Sequence, residues 1–125
     1  VADLPKAWNE QSQDLLGIVP NKDANGVLQD IHWSGGMIGY FPTYALGNVY
    51  GLQFVSRLKK DMPDMDNRIR HGELLPIKEW LDANIHGPGA SMLPGELCQA
   101  VSGEPMSATY FIDYLNTKYA DVYDL

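Results

Sequence analysis

Apolar residues recur at helical spacing along almost the whole chain. Pro5 suits the first turn of a helix carrying Trp8, Leu15 and Leu16, and Gly17 closes it. Asn21 to Gly26 (NKDANG) is rich in turn formers and marks a loop. Pro42 opens a longer helix with Tyr44, Ala45, Val49, Leu52, Val55 and Leu58 on its apolar side. Arg57, Lys59 and Lys60 fall in its last turn, where cations suit the helix dipole. Gly47 and Gly51 lie inside it, and each weakens a helix by about 1 kcal/mol relative to Ala. Their expected compensation is the close approach of a neighbouring backbone.

Further along, Asp61 or Asp64 is placed to cap a polar helix running through Met65 and Ile69 to Leu74 or Leu75. Pro76 starts the next, with Ile77, Trp80, Leu81 and Ile85 on one face, and Gly87-Pro88-Gly89 stops it. Pro94 opens a short helix through Leu97, Cys98 and Val101 that Gly103 ends. Ser107 caps a last helix with a stripe of Phe111, Tyr114, Leu115 and Tyr119. No strand pattern and no repeat interrupts this series. The expectation is an all-α fold of about six helices in one segment, residues 1–125, with no internal boundary. Only Gly26 to Gly39 fits neither helix nor strand, because glycines and a Trp replace the periodic pattern.

Composition narrows the classes. The 125 residues are 45% hydrophobic and 20% charged, a globular balance. A net charge of −7 disfavours nucleic acid and anionic membranes as partners, since both recruit positive charge. The single cysteine, Cys98, excludes an internal disulfide and a Cys-rich zinc site, and it fits a reducing cytoplasm. Its apolar helical neighbours Leu97 and Val101 make it a core thiol rather than a nucleophile. No apolar run approaches membrane-spanning length. The chain opens Val1-Ala2-Asp3 without an initiator Met and enters a helix at once, which raises the expectation of a piece of a longer chain.

Most catalytic constellations are missing. A helical zinc site needs two imidazoles at i and i+4, and none of His32, His71 and His86 has another four residues away. His71-Gly72-Glu73 is the nearest approach and lacks the second His. Gly35-Gly36 lacks the surrounding residues of a phosphate loop, and Glu96 and Glu104 carry no mark of a glycosidase pair. The run Gly26 to Tyr44 (GVLQDIHWSGGMIGYFPTY) is different. His32 can donate from either ring nitrogen, with Asp30 or Gln29 fixing its tautomer. Tyr40 and Tyr44 lie one turn apart if that stretch is helical. Imidazole and phenol are donors that stabilise a tetrahedral oxyanion. The same residues also fit an aromatic core of Trp33, Tyr40, Phe41 and Tyr44, with His32 bonded to a carbonyl.

The motif GVLQDIHW, Gly26 to Trp33, resembles the Gly-x-x-Gln-Asp-x-His-Trp signature of the Taq-type metallocarboxypeptidases. The likeness continues through GYFPTYALGNVYGLQF, Gly39 to Phe54, and through PKAWNEQSQDLLGIVP, WLDANIHGPG, PGELCQAVSGEP and YFIDYLNTKY on either side. It covers essentially the whole chain in order. Met37-Ile38 depart from the family pattern, which has a smaller residue and Phe there.

This resemblance implies the C-terminal part of a mostly helical zinc-peptidase fold with an irregular, Gly-rich active-site loop. The parent enzyme would remove single residues from peptide C-termini. Its zinc, or another divalent metal, would be held by a His-Glu-x-x-His helix and a downstream Glu that both precede this chain. No metal is expected in the fragment, which would be inactive alone. Gln29, Asp30 and Trp33 would line the substrate side of the cleft. His32 with Tyr40 or Tyr44 would stand beside the oxyanion. Apolar surface exposed around Trp33 and Phe41 would favour a homo-oligomer, a dimer first. The competing readings are a non-catalytic helical module that binds a peptide or small ligand, and a purely structural helical domain.

Overall fold

The computed structural model describes residues 1–125, and it is helical throughout with no strand. The chain divides into two compact units, Val1–Thr43 and Tyr44–Leu125.

The first unit is built on α1, Leu4–Leu16, with Pro5 in its opening turn. Gly17 takes a left-handed φ of 69° and returns its N–H to the Gln13 carbonyl at 3.0 Å, so the helix stops where the sequence predicts. The rest of the unit is a string of single 3-10 turns, Asp23–Asn25, Val27–Gln29 and Trp33–Gly35. Its core is small. Val27 is buried, and Gly26 sits so close to the Pro20 ring and Trp8 that a Cβ there would lie 3.0 Å from Pro20 and 3.2 Å from Trp8. Gly26 is therefore needed for the close approach of Pro20 and Trp8. Leu15 and Leu16 of α1 are exposed.

Helix α2, Pro42–Asp61, leads into the second unit. It is followed by α3 (Met65–His71), α4 (Leu75–Leu81), α5 (Pro94–Ser102) and α6 (Thr109–Tyr123). The buried side chains of this unit are Gln53, Leu58, Met65, Cys98 and Val101. Cys98 is fully buried, as its helical neighbours required, and burial pushes its thiol pKa up. Gly72 and Gly103 end α3 and α5 in left-handed conformations. Glu96 accepts from the Leu93 amide at 2.9 Å at the start of α5, and the Ser107 hydroxyl accepts from the Thr109 amide at 3.2 Å at the start of α6.

Three local expectations are corrected. Asp64 stands at the N-cap of α3, but its side chain makes no capping bond and pairs with Arg68 at 2.8 Å, while Asp61 accepts from Arg57 and from the Trp80 indole, both at 3.0 Å. A cation one turn away and an indole N–H compete successfully for these carboxylates. The helix predicted from Pro76 does not run regularly to Gly87; α4 gives way to a π turn over Asp82–His86. Finally, nothing approaches Gly47 or Gly51, where a Cβ would meet no atom within 4 Å. Their helical cost is uncompensated in this chain. Gly47→Ala is accordingly expected to stabilise the isolated chain by about 1 kcal/mol, read as a higher urea midpoint at unchanged slope.

Candidate functional site

The first unit gathers most of the singled-out residues, and the local sequence explains how. Asp30 Oδ1 accepts the backbone N–H of His32 at 2.9 Å, the short loop that an Asp makes with the residue two positions on. The same oxygen lies 2.6 Å from His32 Nδ1. The His32 carbonyl then accepts the amides of Gly35 at 3.1 Å and Met37 at 2.9 Å, which closes the turn over Trp33–Gly35. Ser34 Oγ donates to the Ile31 carbonyl at 2.7 Å. These bonds fix the backbone of the turn, and Asp30 holds the ring at Nδ1.

The electrostatics follow from that geometry. The side chains of Asp30 and His32 are only 9% and 12% exposed. Burial pushes the Asp30 carboxyl up, but the His32 amide and ring, with a smaller pull from the Trp33 indole, outweigh it and hold the group below the usual carboxylate range. Asp30 is therefore ionised at neutral pH. Of the two residues the sequence offered as partner to His32, Asp30 takes the role. Gln29 instead donates its side-chain N–H to the Ala24 carbonyl at 2.5 Å.

Aromatic rings complete the setting. The Tyr40 ring stands 5.0 Å from the His32 ring, centroid to centroid, and the Phe41 ring meets it edge-on at 5.6 Å. Tyr40 lies in the loop rather than in α2. Its carbonyl accepts both the amide of Thr43 at 3.0 Å and the Thr43 hydroxyl at 2.7 Å. Because α2 begins at Pro42, Tyr44 is in its first turn and Tyr40 precedes it, so a one-turn helical spacing does not relate the two phenols. Gln29, Asp30 and Trp33 border a cleft of about 650 Å³ whose walls are mostly apolar, with Trp8, Ile38 and Phe41 among them. Trp8 and Ile38 were not foreseen as cleft residues. Trp8 reads in the sequence as part of a helix stripe, and Ile38 only as a departure from the family pattern. Phe41 is 54% exposed and Trp33 half-buried.

The chain resembles known proteins over nearly its whole length. The profile of the carboxypeptidase Taq (M32) metallopeptidases matches residues 1–119. The chain belongs to this family. It is 45% identical over 123 residues to carboxypeptidase 1 of Bacillus subtilis, which covers 98% of this chain and 25% of that protein. Its fold superposes on the M32 carboxypeptidase of Deinococcus radiodurans R1 with a TM-score of 0.91 and 31% identity, over 99% of this chain and 25% of the other. The Pyrococcus furiosus carboxypeptidase gives 0.88 and 45%, over 94% and 24%. The chain spans about a quarter of the length of the curated relatives it matches.

The family is one of metallopeptidases. No group of three or more His, Cys, Asp or Glu side chains is gathered where it can hold a metal ion. His71 Nδ1 lies 2.8 Å from the Asn67 carbonyl, and His86 Nδ1 lies 2.9 Å from Asp82. The residues of this chain do not by themselves make a metal site.

Proposed function

We infer that this chain forms the substrate and oxyanion side of the cleft in a zinc-dependent metallocarboxypeptidase that removes single residues from peptide C-termini. The observation that carries this reading is the Gly26 to Trp33 signature folded into a part-buried Asp30–His32 pair at 2.6 Å beside Tyr40, with Asp30 lining an apolar cleft. As a scissile carbonyl becomes tetrahedral, its oxygen gains negative charge. His32 and one phenol, Tyr40 or Tyr44, donate hydrogen bonds to that oxygen and lower the barrier. Gln29, Asp30 and Trp33 bound the space where the substrate lies. The ligands of the zinc, or of another divalent metal, belong to the remainder of the enzyme.

On this reading the chain alone is inactive. It cleaves no peptide with or without added zinc, and calorimetry finds no tight one-to-one zinc binding. Tight stoichiometric binding, or release of C-terminal residues by the 125-residue chain, overturns the assignment. Exposed apolar residues such as Leu15, Leu16, Ile38 and Phe41 support self-association of the isolated chain, first as a dimer. No helix is long and apolar enough to cross a membrane. A cytoplasmic setting fits the one unpaired, buried cysteine.

A further inference from the structure

Asp30 borders the cleft, and both its side-chain hydrogen bonds at Oδ1 go to His32. An ionised carboxylate can only accept hydrogen bonds. Its Oδ1 lies 2.6 Å from Nδ1 of His32, so the proton of that bond must sit on Nδ1. The same Oδ1 is anchored by the His32 backbone amide at 2.9 Å, which ties carboxylate and ring into one local unit.

We propose that Asp30 is the positioning residue of this site, pinning His32 with its proton on Nδ1 so that Nε2 donates to the oxyanion only when the ring is an imidazolium. This inference rests on the oxyanion role of His32 argued above. In the neutral ring held by Asp30, Nε2 carries a lone pair and repels an oxyanion rather than binding it. A second proton on Nε2 turns it into a charge-assisted donor, stronger than a neutral one. The Asp30 carboxylate balances the resulting positive charge within the same local unit. The Asp-x-His spacing of the motif is explained by this unit: the backbone amide two residues on aims the carboxylate, and the ring of that same residue folds back onto it.

The chemical character of the pair separates this role from direct substrate binding. Asp30 acts through the ring, so its loss lowers transition-state stabilisation. A residue that holds the substrate equally in ground and transition states changes KM instead.

Two measurements test the proposal. The first is a long-range proton–nitrogen NMR spectrum of the 125-residue chain with labelled histidine, taken at a pH where the rings are neutral. His32 is assigned by its disappearance in His32→Leu. The expected pattern is a protonated Nδ1 and a bare Nε2, the tautomer that free histidine disfavours in water. A protonated Nε2, or an averaged mixture, overturns the proposal. This result does not depend on catalysis, so it stands or falls separately from the oxyanion reading.

The second uses an intact family enzyme carrying this sequence as its corresponding quarter. Asp30→Asn keeps an acceptor oxygen and removes the charge. It is expected to lower kcat at least tenfold with KM within about threefold. A raised KM at unchanged kcat makes Asp30 a substrate ligand and overturns the positioning role. Should His32→Leu leave kcat intact in that enzyme, the oxyanion reading fails instead.

Discussion

Replacing His32 by Leu in an intact metallocarboxypeptidase that contains this segment lowers kcat by about 10²–10³-fold, the usual cost of losing one oxyanion donor. The physical basis is that the donor acts on charge that develops only in the transition state. KM therefore changes much less than kcat. The substitution has a second consequence, specific to this site. The Asp30 carboxylate, 9% exposed, loses the ring that now partners its Oδ1 and keeps the backbone amide. The first unit should then unfold at lower denaturant concentration than the native one. Steady-state kinetics on peptides of fixed sequence, together with a urea melt, read both effects. An enzyme that keeps kcat within a few-fold shows that the imidazole does not face the oxyanion.

The second large effect is on stability. Gln53 is the one buried polar side chain, 1% exposed, and it ties α2 to the segment between α5 and α6. Its amide nitrogen donates to the Ser102 hydroxyl at 2.9 Å and to the Pro105 carbonyl at 3.0 Å, and its oxygen accepts the Ser107 amide at 2.9 Å. Ser102 in turn donates to the Cys98 carbonyl at 2.7 Å. Gln53→Leu has nearly the right volume but leaves the Ser107 N–H and the Pro105 carbonyl without their partner. A destabilisation of roughly 2–4 kcal/mol is expected, because an orphaned buried group costs more than a hydrogen bond contributes on average. Urea unfolding followed by tryptophan fluorescence and by helical circular dichroism measures it. A change below about 0.5 kcal/mol would show that water replaces the amide at no cost.

Helix ends were legible at several prolines and glycines, although Gly72 ends α3 at His71, short of the expected Leu74 or Leu75. Pro5 and Gly17 bracket α1, and Pro94 and Gly103 bracket α5, because proline presets φ and glycine accepts the left-handed turn. Electrostatic punctuation was less legible. Asp61 and Asp64 each had several possible donors, and nearby Arg57, Trp80 and Arg68 took them. The π turn over Asp82–His86 left no mark in the apolar period. Its signal was Gly87, where a Cβ would come within 2.9 Å of the Asp82 carbonyl oxygen, while its N–H bonds that oxygen at 2.7 Å. Gly47 and Gly51 were misread because a glycine inside a helix is silent about whether anything packs on it.

The contact between Asp30 and His32 was legible in kind. Asp-x-His announced a carboxylate that can reach its own ring neighbour, and the structure selects it over Gln29 because Gln29 is committed to Ala24. The backbone settings of Tyr40 and Tyr44 were not legible, since they depended on where α2 begins. Pro42 starts the helix after Tyr40 and before Tyr44, which gives the two tyrosines different backbone settings. Tyr40 is fixed by Thr43 and stands against His32, whereas Tyr44 rides on the first turn of the helix. Residues of like chemistry in unlike settings are expected to differ sharply in function.

That difference supplies the most direct test of the claim that this chain forms the oxyanion side of a peptidase cleft. Tyr40→Phe and Tyr44→Phe are made separately in an intact family enzyme carrying this sequence, and kcat is measured for each on the same peptide. Each change removes one oxygen and leaves the ring packing in place. The account predicts that one variant loses about 10²–10³-fold in kcat and the other stays within a few-fold of native. If neither variant falls by more than a few-fold, no phenol of this segment serves the oxyanion and the account is wrong.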